Sequence, residues 1–246
     1  MAFSHGTAAR MWLDGFPSAC YLNEFSLDGE VDTAETTTLC KSAKTYIPGL
    51  EDATVSLSGF FDTNTLDPAS TFEALLDARK RAVFPVIYYP EGGDTIGDPA
   101  YLLNGFLTSY NVGTTVDDAA TLEMEYQSST GFQRGVTLEP PTTETATGDS
   151  GTWHDNLVAT TQGGAALLSV ESVTGTTPTM TVTIQHTDDD PTGTPTWVTL
   201  ATFPVQNTQN GIYVTFTGTV ERYTRVIWTI AGTTPQFVFN VAISRN

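Results

Sequence analysis

Gly148-Asp149-Ser150-Gly151 has the local sequence of a serine-hydrolase nucleophile. That chemistry needs a histidine base held by a buried aspartate. Of the three histidines, His5, His154 and His186, only His5 lies upstream of Ser150, near a terminus. The motif also falls in a stretch with no apolar periodicity, where the structural context of a nucleophile is missing. Asp188-Asp189-Asp190-Pro191-Thr192-Gly193 has acids and a glycine at calcium-loop spacing, but the twelfth position is Thr199 where a bidentate Glu is required. It predicts a solvated turn between strands, with a weak surface calcium site left open. The three histidines lack metal-ligand spacing. Neither a phosphate-cradling glycine loop nor a dinucleotide fingerprint occurs. The expectation is a protein that is not an enzyme and that carries no cofactor and no metal.

The acids carry a different signal. From Cys20 to Asp32, Tyr21, Asn23, Phe25, Leu27, Gly29 and Val31 alternate with Cys20, Leu22, Glu24, Ser26, Asp28, Glu30 and Asp32. Leu122, Met124 and Tyr126 alternate with Thr121, Glu123, Glu125 and Gln127. Period two puts each set on its own face of a strand. One face is then apolar and the other rich in carboxylates, an arrangement that like-charge repulsion disfavours. Glu24, Asp28, Glu30, Glu123 and Glu125 are the candidates for a functional acidic surface.

The whole chain of 246 residues has 28 acids against 10 bases, a net charge of -18. Lysine occurs only at positions 41, 44 and 80, so tight binding of nucleic acid by phosphate neutralisation is excluded. Arg79-Lys80-Arg81 reads instead as the basic end of a helix. Abundant threonine with Val, Tyr, Phe and Trp favours strands, and the length allows a substantial core. Cys20 and Cys40 do not make a disulfide framework; a single bridge and two reduced thiols both remain open. The N-terminus lacks the basic and apolar regions of a signal peptide, and no apolar run approaches a membrane span of about 20 residues. The expectation is a protein made in a cytoplasm, with no membrane partner.

Leu138 to Gly151 is linker-like: paired prolines and small polar residues without periodicity. The expected organisation is therefore a domain at 1–138, a linker at 139–152 and a second domain at 153–246. The net charges of these segments are -12, -3 and -3. Strands are predicted near 8–14, 19–31, 52–62, 83–89, 100–112, 119–128 and 132–138. A helix is predicted between them, with Asp67 as N-cap, Pro68 at the first helical position, and Phe72, Leu75, Leu76 and Arg79 at helical spacing. The polar stretch Thr33 to Leu50 reads as a loop of functional length. In the second half, Met180, Val182, Ile184 and His186, then Val226, Trp228 and Ile230, then Phe237, Phe239, Val241 and Ile243 alternate with polar positions. Turns such as Asn210-Gly211 and Gly175-Thr-Thr-Pro178 separate these runs. The pattern predicts a mainly β chain ending in a jelly-roll or immunoglobulin-like β-sandwich.

These segments resemble the major tail protein, or tail tube protein, of long-tailed bacteriophages with non-contractile tails. The resemblance is carried by the N-terminal arm before Arg10-Met-Trp-Leu-Asp-Gly15, the strand Leu22 to Glu30, the polar loop after it, the run Ile47 to Asp62 and the helix at 68–80. The second half resembles the accessory β-sandwich appended to such proteins, through Pro178 to His186, Trp197 to Phe203 and Arg222-Tyr-Thr-Arg225. The resemblance implies a tail-tube β-barrel or sandwich with one short helix. It implies a structural virion protein, made in the host bacterium, whose hexameric rings stack into a tube. Its partners are further copies of itself, other tail proteins at the tube ends and double-stranded DNA passing without specific binding. Residues 1–8 and 33–50, with Lys41, Lys44 and Tyr46, would reach neighbouring subunits. The five acids would line the lumen, where carboxylate walls repel phosphate. The rival expectation is an adhesion module in which Trp153, Trp197 and Tyr213 of the outer sandwich contact a glycan.

Overall fold

The computed structural model describes residues 6–61 and 72–246. After a 3-10 turn at Gly6–Ala8 come β1 (Arg10–Leu13), β2 (Phe16–Pro17), β3 (Leu22–Glu35), β4 (Tyr46–Phe60), α1 (Phe72–Arg79) and β5 (Phe84–Tyr89). There follow β6 (Pro99–Gly113), β7 (Thr121–Ser128), β8 (Gln133–Glu144), β9 (Gly148–Asp149) and β10 (His154–Asp155). The chain closes with β11 (Gly164–Thr187), β12 (Val198–Thr202), β13 (Asn210–Phe216) and β14 (Tyr223–Arg245). The protein is mainly β, with a single short α-helix among the described residues. The expected helix start at Asp67 and Pro68 lies outside the described residues.

Two compact units form: Met1–Cys20 with Phe84–Leu102 and Gln133–Asn246, and Tyr21–Val83 with Leu103–Phe132. These are not the boundaries expected from composition. The proline-bearing stretch after Leu138 is not a free connection, because β8 runs through it to Glu144 and pairs with β14, Val238 opposite Thr143 and Phe237 opposite Glu144. Backbone hydrogen bonding by a neighbouring strand overrides a weak local propensity.

In the larger unit, β11 and β14 form a long antiparallel ribbon, Gly164 opposite Arg245 at one end and Thr187 opposite Tyr223 at the other. Its two halves share one core. Ala166, Leu168, Val170, Phe237, Phe239, Val241 and Ile243 pack with Met180, Val182, Ile184, Val226 and Trp228. The ribbon changes course where Gly175-Thr176-Thr177-Pro178 meets Gly232-Thr233-Thr234-Pro235. Register shifts occur there, and both glycines and both second threonines have positive φ, 115° and 127° for the glycines and 49° and 47° for the threonines. On the other face of the ribbon's first half, Leu167 and Ala242 join Trp12, Ile87, Tyr89, Ala100 and Leu102 in a second cluster. Both faces of that half are therefore buried, which explains the continuous apolar run Ala165-Ala166-Leu167-Leu168 beside the strict alternation of Met180 to His186. The same cluster explains why the N-terminal strands belong with the C-terminal half of the chain.

The smaller unit is a sheet in the order β3-β4-β7-β6. Phe25 faces Leu57 and Leu27 faces Val55; Leu57 in turn faces Met124 and Val55 faces Tyr126. Val55, Leu57, Leu122, Met124 and Tyr126 are buried, as is Leu76 of α1. Period-two burial along β4 and β7 sends the intervening residues to solvent.

Candidate functional site

The residues between those apolar positions make one exposed, polar sheet face. Its first row runs Glu24, Ser58, Glu123, Asn111 and its second Ser26, Ser56, Glu125, Ser109. The third runs Asp28, Thr54, Gln127, Phe106. The carboxylates predicted from two separate stretches of sequence thus share a surface. Glu24 and Asp28 do not stand directly beside Glu123 and Glu125: hydroxyl residues of β4 lie between the two strands. Two strand spacings put Glu24 and Glu123 about 9.5 Å apart along the sheet, comparable with a Debye length of about 8 Å in physiological salt. The repulsion expected from the sequence is thereby reduced while the face keeps one sign. Glu123 accepts from Asn111 Nδ2 at 3.5 Å, and Ser58 Oγ donates to Asn23 at 3.2 Å. Glu30 lies farther out, directly opposite Asp52; Asp52 Oδ1 accepts from the Ala53 amide at 2.9 Å and from Gln127 Nε2.

The stretch 33–50 is largely strand rather than loop. Thr33 pairs with Pro48, Ala34 with Ile47 and Glu35 with Tyr46, so the turn shrinks to residues 36–45. Thr36 N donates to Thr45 O at 2.7 Å, Thr45 N to Thr37 Oγ1 at 3.0 Å, and Lys44 pairs with Glu35 at 3.1 Å. Val31, Leu39, Tyr46, Ile47 and Leu50 are exposed on this ribbon, as is Lys41. Cys20 and Cys40 are both exposed and unpaired.

The four tryptophans divide into two classes. Trp12 and Trp228 are 4% exposed and hydrogen-bonded through Nε1, to Glu171 and to the Ala146 carbonyl. Trp153 and Trp197 are half-buried and line one cleft in the larger unit. Tyr213, grouped with them in the sequence expectation, packs instead against the core of Trp12 and Tyr89.

The motifs set aside above have structural duties. Ser150 Oγ donates to the Thr152 carbonyl at 2.8 Å and accepts from Val226 N at 3.3 Å. Asp190 accepts from the amide and hydroxyl of Thr192, and Asp189 from Thr196 N. His186 Nδ1 accepts from Glu221 N at 3.0 Å. Among the described residues, no three metal-ligating side chains come together.

Gly175-Thr-Thr-Pro178, expected as a turn between strands, lies inside β11 and with Gly232 to Pro235 of β14 marks the turning point of the ribbon, and Asn210-Gly211 opens β13 rather than forming a turn. One feature escaped the sequence reading. Glu139 was assigned to the linker, yet it is 5% exposed opposite Val241. Burial pushes its carboxyl up to about 7 against the lowering hydrogen bond from Thr142, with Glu144 and Asp149 raising it further. Nothing in its local sequence distinguishes it from a surface acid.

No protein-family model matches the sequence, and no curated protein matches it. Among solved structures, a chain from the virion of a native gene transfer agent particle aligns with 54% of this chain and 98% of its own length, at 17% identity and a TM-score of 0.42. A chain from the tail of an empty gene transfer agent particle, refined with C6 symmetry, aligns with 53% of this chain and 97% of its own, at 16% identity and 0.42. The SPP1 Dit (gp 19.1) protein, described as a paradigm of the hub adsorption apparatus in phages that infect Gram-positive bacteria, aligns with 96% of this chain and 98% of its own, at 11% identity and 0.38. Scores this low do not establish a shared fold.

Proposed function

We propose that this chain is a structural subunit of a bacteriophage tail tube, assembled from copies of itself around a lumen that conducts double-stranded DNA. The observation that carries the reading is a one-sign polar sheet face that ends at an open edge strand, β3. Among the described residues, β3 pairs only with β4, which leaves its outer side open, and Gly105 to Gly113 of β6 pair with β7 at the opposite end of the face. Long unpaired edges are templates for further strands unless something covers them. Phe106, Tyr110 and Val112 are exposed along that part of β6, as suits an interface. Joining β3 of one copy to β6 of the next continues the acidic face from subunit to subunit. Closing that sheet into a ring removes the edges and turns the face of Glu24, Asp28, Glu123 and Glu125 towards the lumen. Such a wall offers DNA no cations to exchange for its condensed counterions.

In this reading the ring holds six copies, as the sequence resemblance implies, and the β3–β4 ribbon with Lys41, Lys44 and Tyr46 contacts the next subunit or ring. Other tail proteins meet the tube ends, and the site of action is the virion. Electron microscopy of the purified protein across a concentration series tests it. Rings or tubes are the expected outcome; a monodisperse monomer at high concentration rejects it.

A further inference from the structure

Asp149, Trp153, Pro191, Pro195, Trp197 and Arg225 line an open cleft of about 330 Å³ in the larger unit. It lies at the small end of ligand pockets, which run from about 300 to 1,000 Å³. Its walls are fixed by the fold. β9 pairs with β14, Gly148 opposite Trp228, and Ser150 ties the following loop to Val226. Asp149 Oδ1 accepts from Gly151 N at 2.8 Å, which holds the turn leading to Trp153. On the other side, Asp189 holds Thr196, next to Trp197. Between the walls, Arg225 donates twice to Gln185 Oε1, at 3.0 and 2.8 Å, from directly opposite on β11. Its guanidinium carbon stands 4.3 Å from the Trp197 ring centroid. Burial lowers the affinity of Arg225 for its proton and the charge of Asp149 opposes that.

The chemistry of these groups narrows the ligand. Two indoles, half-exposed while the other two of the chain are buried, supply flat apolar surface with a polar edge. A carboxylate that accepts and a guanidinium with five donors, two of them engaged by Gln185, match neighbouring hydroxyl groups that both donate and accept. A strongly anionic ligand is disfavoured by the net charge of -18 and by the neighbouring run Asp188-Asp189-Asp190. A cation meets Arg225. We infer that this cleft binds a neutral saccharide, its apolar ring face on an indole and adjacent hydroxyls held between Asp149 and Arg225. Such a site gives the subunit a contact with a glycan surface, separate from tube assembly. Because the walls are already hydrogen-bonded, little ordering is required on binding.

Titration of the full chain with D-glucose, D-galactose or N-acetyl-D-glucosamine, followed by tryptophan fluorescence, tests the inference. At least one neutral sugar is expected to saturate with a Kd of about 1–10 mM. Trp197→Ala or Trp153→Ala should weaken it roughly tenfold, the worth of a stacked ring at about 1.4 kcal/mol. Asp149→Asn, isosteric and exposed, should weaken it several-fold with an unchanged melting point, so that loss of binding is separable from loss of fold. Sodium D-glucuronate should bind less tightly than the neutral sugars. The inference is overturned by the absence of saturation up to about 100 mM of each neutral sugar. It is equally overturned by an affinity unaltered in both Trp153→Ala and Asp149→Asn, by tighter binding of glucuronate, or by preference for a proline-rich peptide over every sugar.

Discussion

Glu139 keeps its proton towards neutrality because its carboxyl is buried beside β14. The folded value of about 7 stands above the ordinary 4.5. The folded chain therefore binds this proton where the unfolded chain has released it. The resulting stability is fully present below about pH 4.5 and is lost as pH rises through about 7. The shift is worth at most about 3.5 kcal/mol at 1.4 kcal/mol per unit. Melting temperature should fall between pH 5 and pH 8 in the native sequence, and Glu139→Gln should flatten that part of the profile; an equal slope in the variant contradicts the assignment. Asp155 acts in the opposite direction. The Arg222 guanidinium, bonded to it at 2.7 and 2.8 Å, holds its carboxyl near 2, so its contribution is present at neutral pH and is lost only in strong acid.

The elements that set the architecture are two ribbons. In the β11–β14 ribbon, an ideal Cβ on Gly175 would lie 2.6 Å from the Thr234 carbonyl oxygen, and one on Gly232 would lie 3.0 Å from the Thr177 oxygen. Positive φ adds strain for any other residue. Gly175→Ala and Gly232→Ala should each destabilise by about 1–3 kcal/mol in thermal or denaturant unfolding. Gly151→Ala, with positive φ but nothing within 4 Å, should fall at or below the lower end of that range. In the β3–β4 ribbon, residues 29–44 and 46–52 are all exposed, so its distal part contributes little to its own unit. Replacing residues 36–45 with Asn-Gly, the two-residue hairpin turn, should leave the melting temperature of the monomer within a few degrees. In the tube reading it should abolish or shorten assemblies seen by electron microscopy. Normal tubes from the shortened chain contradict the role assigned to this ribbon.

At the scale of the whole molecule, charge is the property that governs encounters. A net charge of -18 makes copies of the free chain repel one another, and in the tube reading the acidic face sets how the assembled surface meets DNA. Changing Glu24, Asp28, Glu123 and Glu125 together to lysine alters the net charge by eight units and reverses the sign of that face. Assemblies of the variant should retain duplex DNA in a sedimentation assay, with affinity falling steeply as salt rises, whereas the native protein should not. DNA retention by the native protein, or none by an assembled variant, contradicts a lumenal face.

How far the chain could be read depended on the range of the physical cause. Glu24, Asp28, Glu123 and Glu125 declared a common kind of face because strand alternation is local, set by backbone geometry at each residue. The mainly β class, the single helix and the turn duties of Asp188 to Asp190 were legible for the same reason. The linker was not: the composition of Leu138 to Gly151 says loop, and only pairing with β14, about a hundred residues away in sequence, makes Leu138 to Glu144 part of a strand. The extension of β3 and β4 through Thr33 to Leu50 likewise depends on each strand finding the other. Local chemistry alone determined which residues alternate. Tertiary structure decided that Ser56 and Ser58 stand between the acids, that Trp153 and Trp197 share a cleft while Trp228 is buried, and that Trp12 belongs to the core of Leu167 and Ala242. Those outcomes rest on register and on packing between distant segments, which no single stretch of sequence contains.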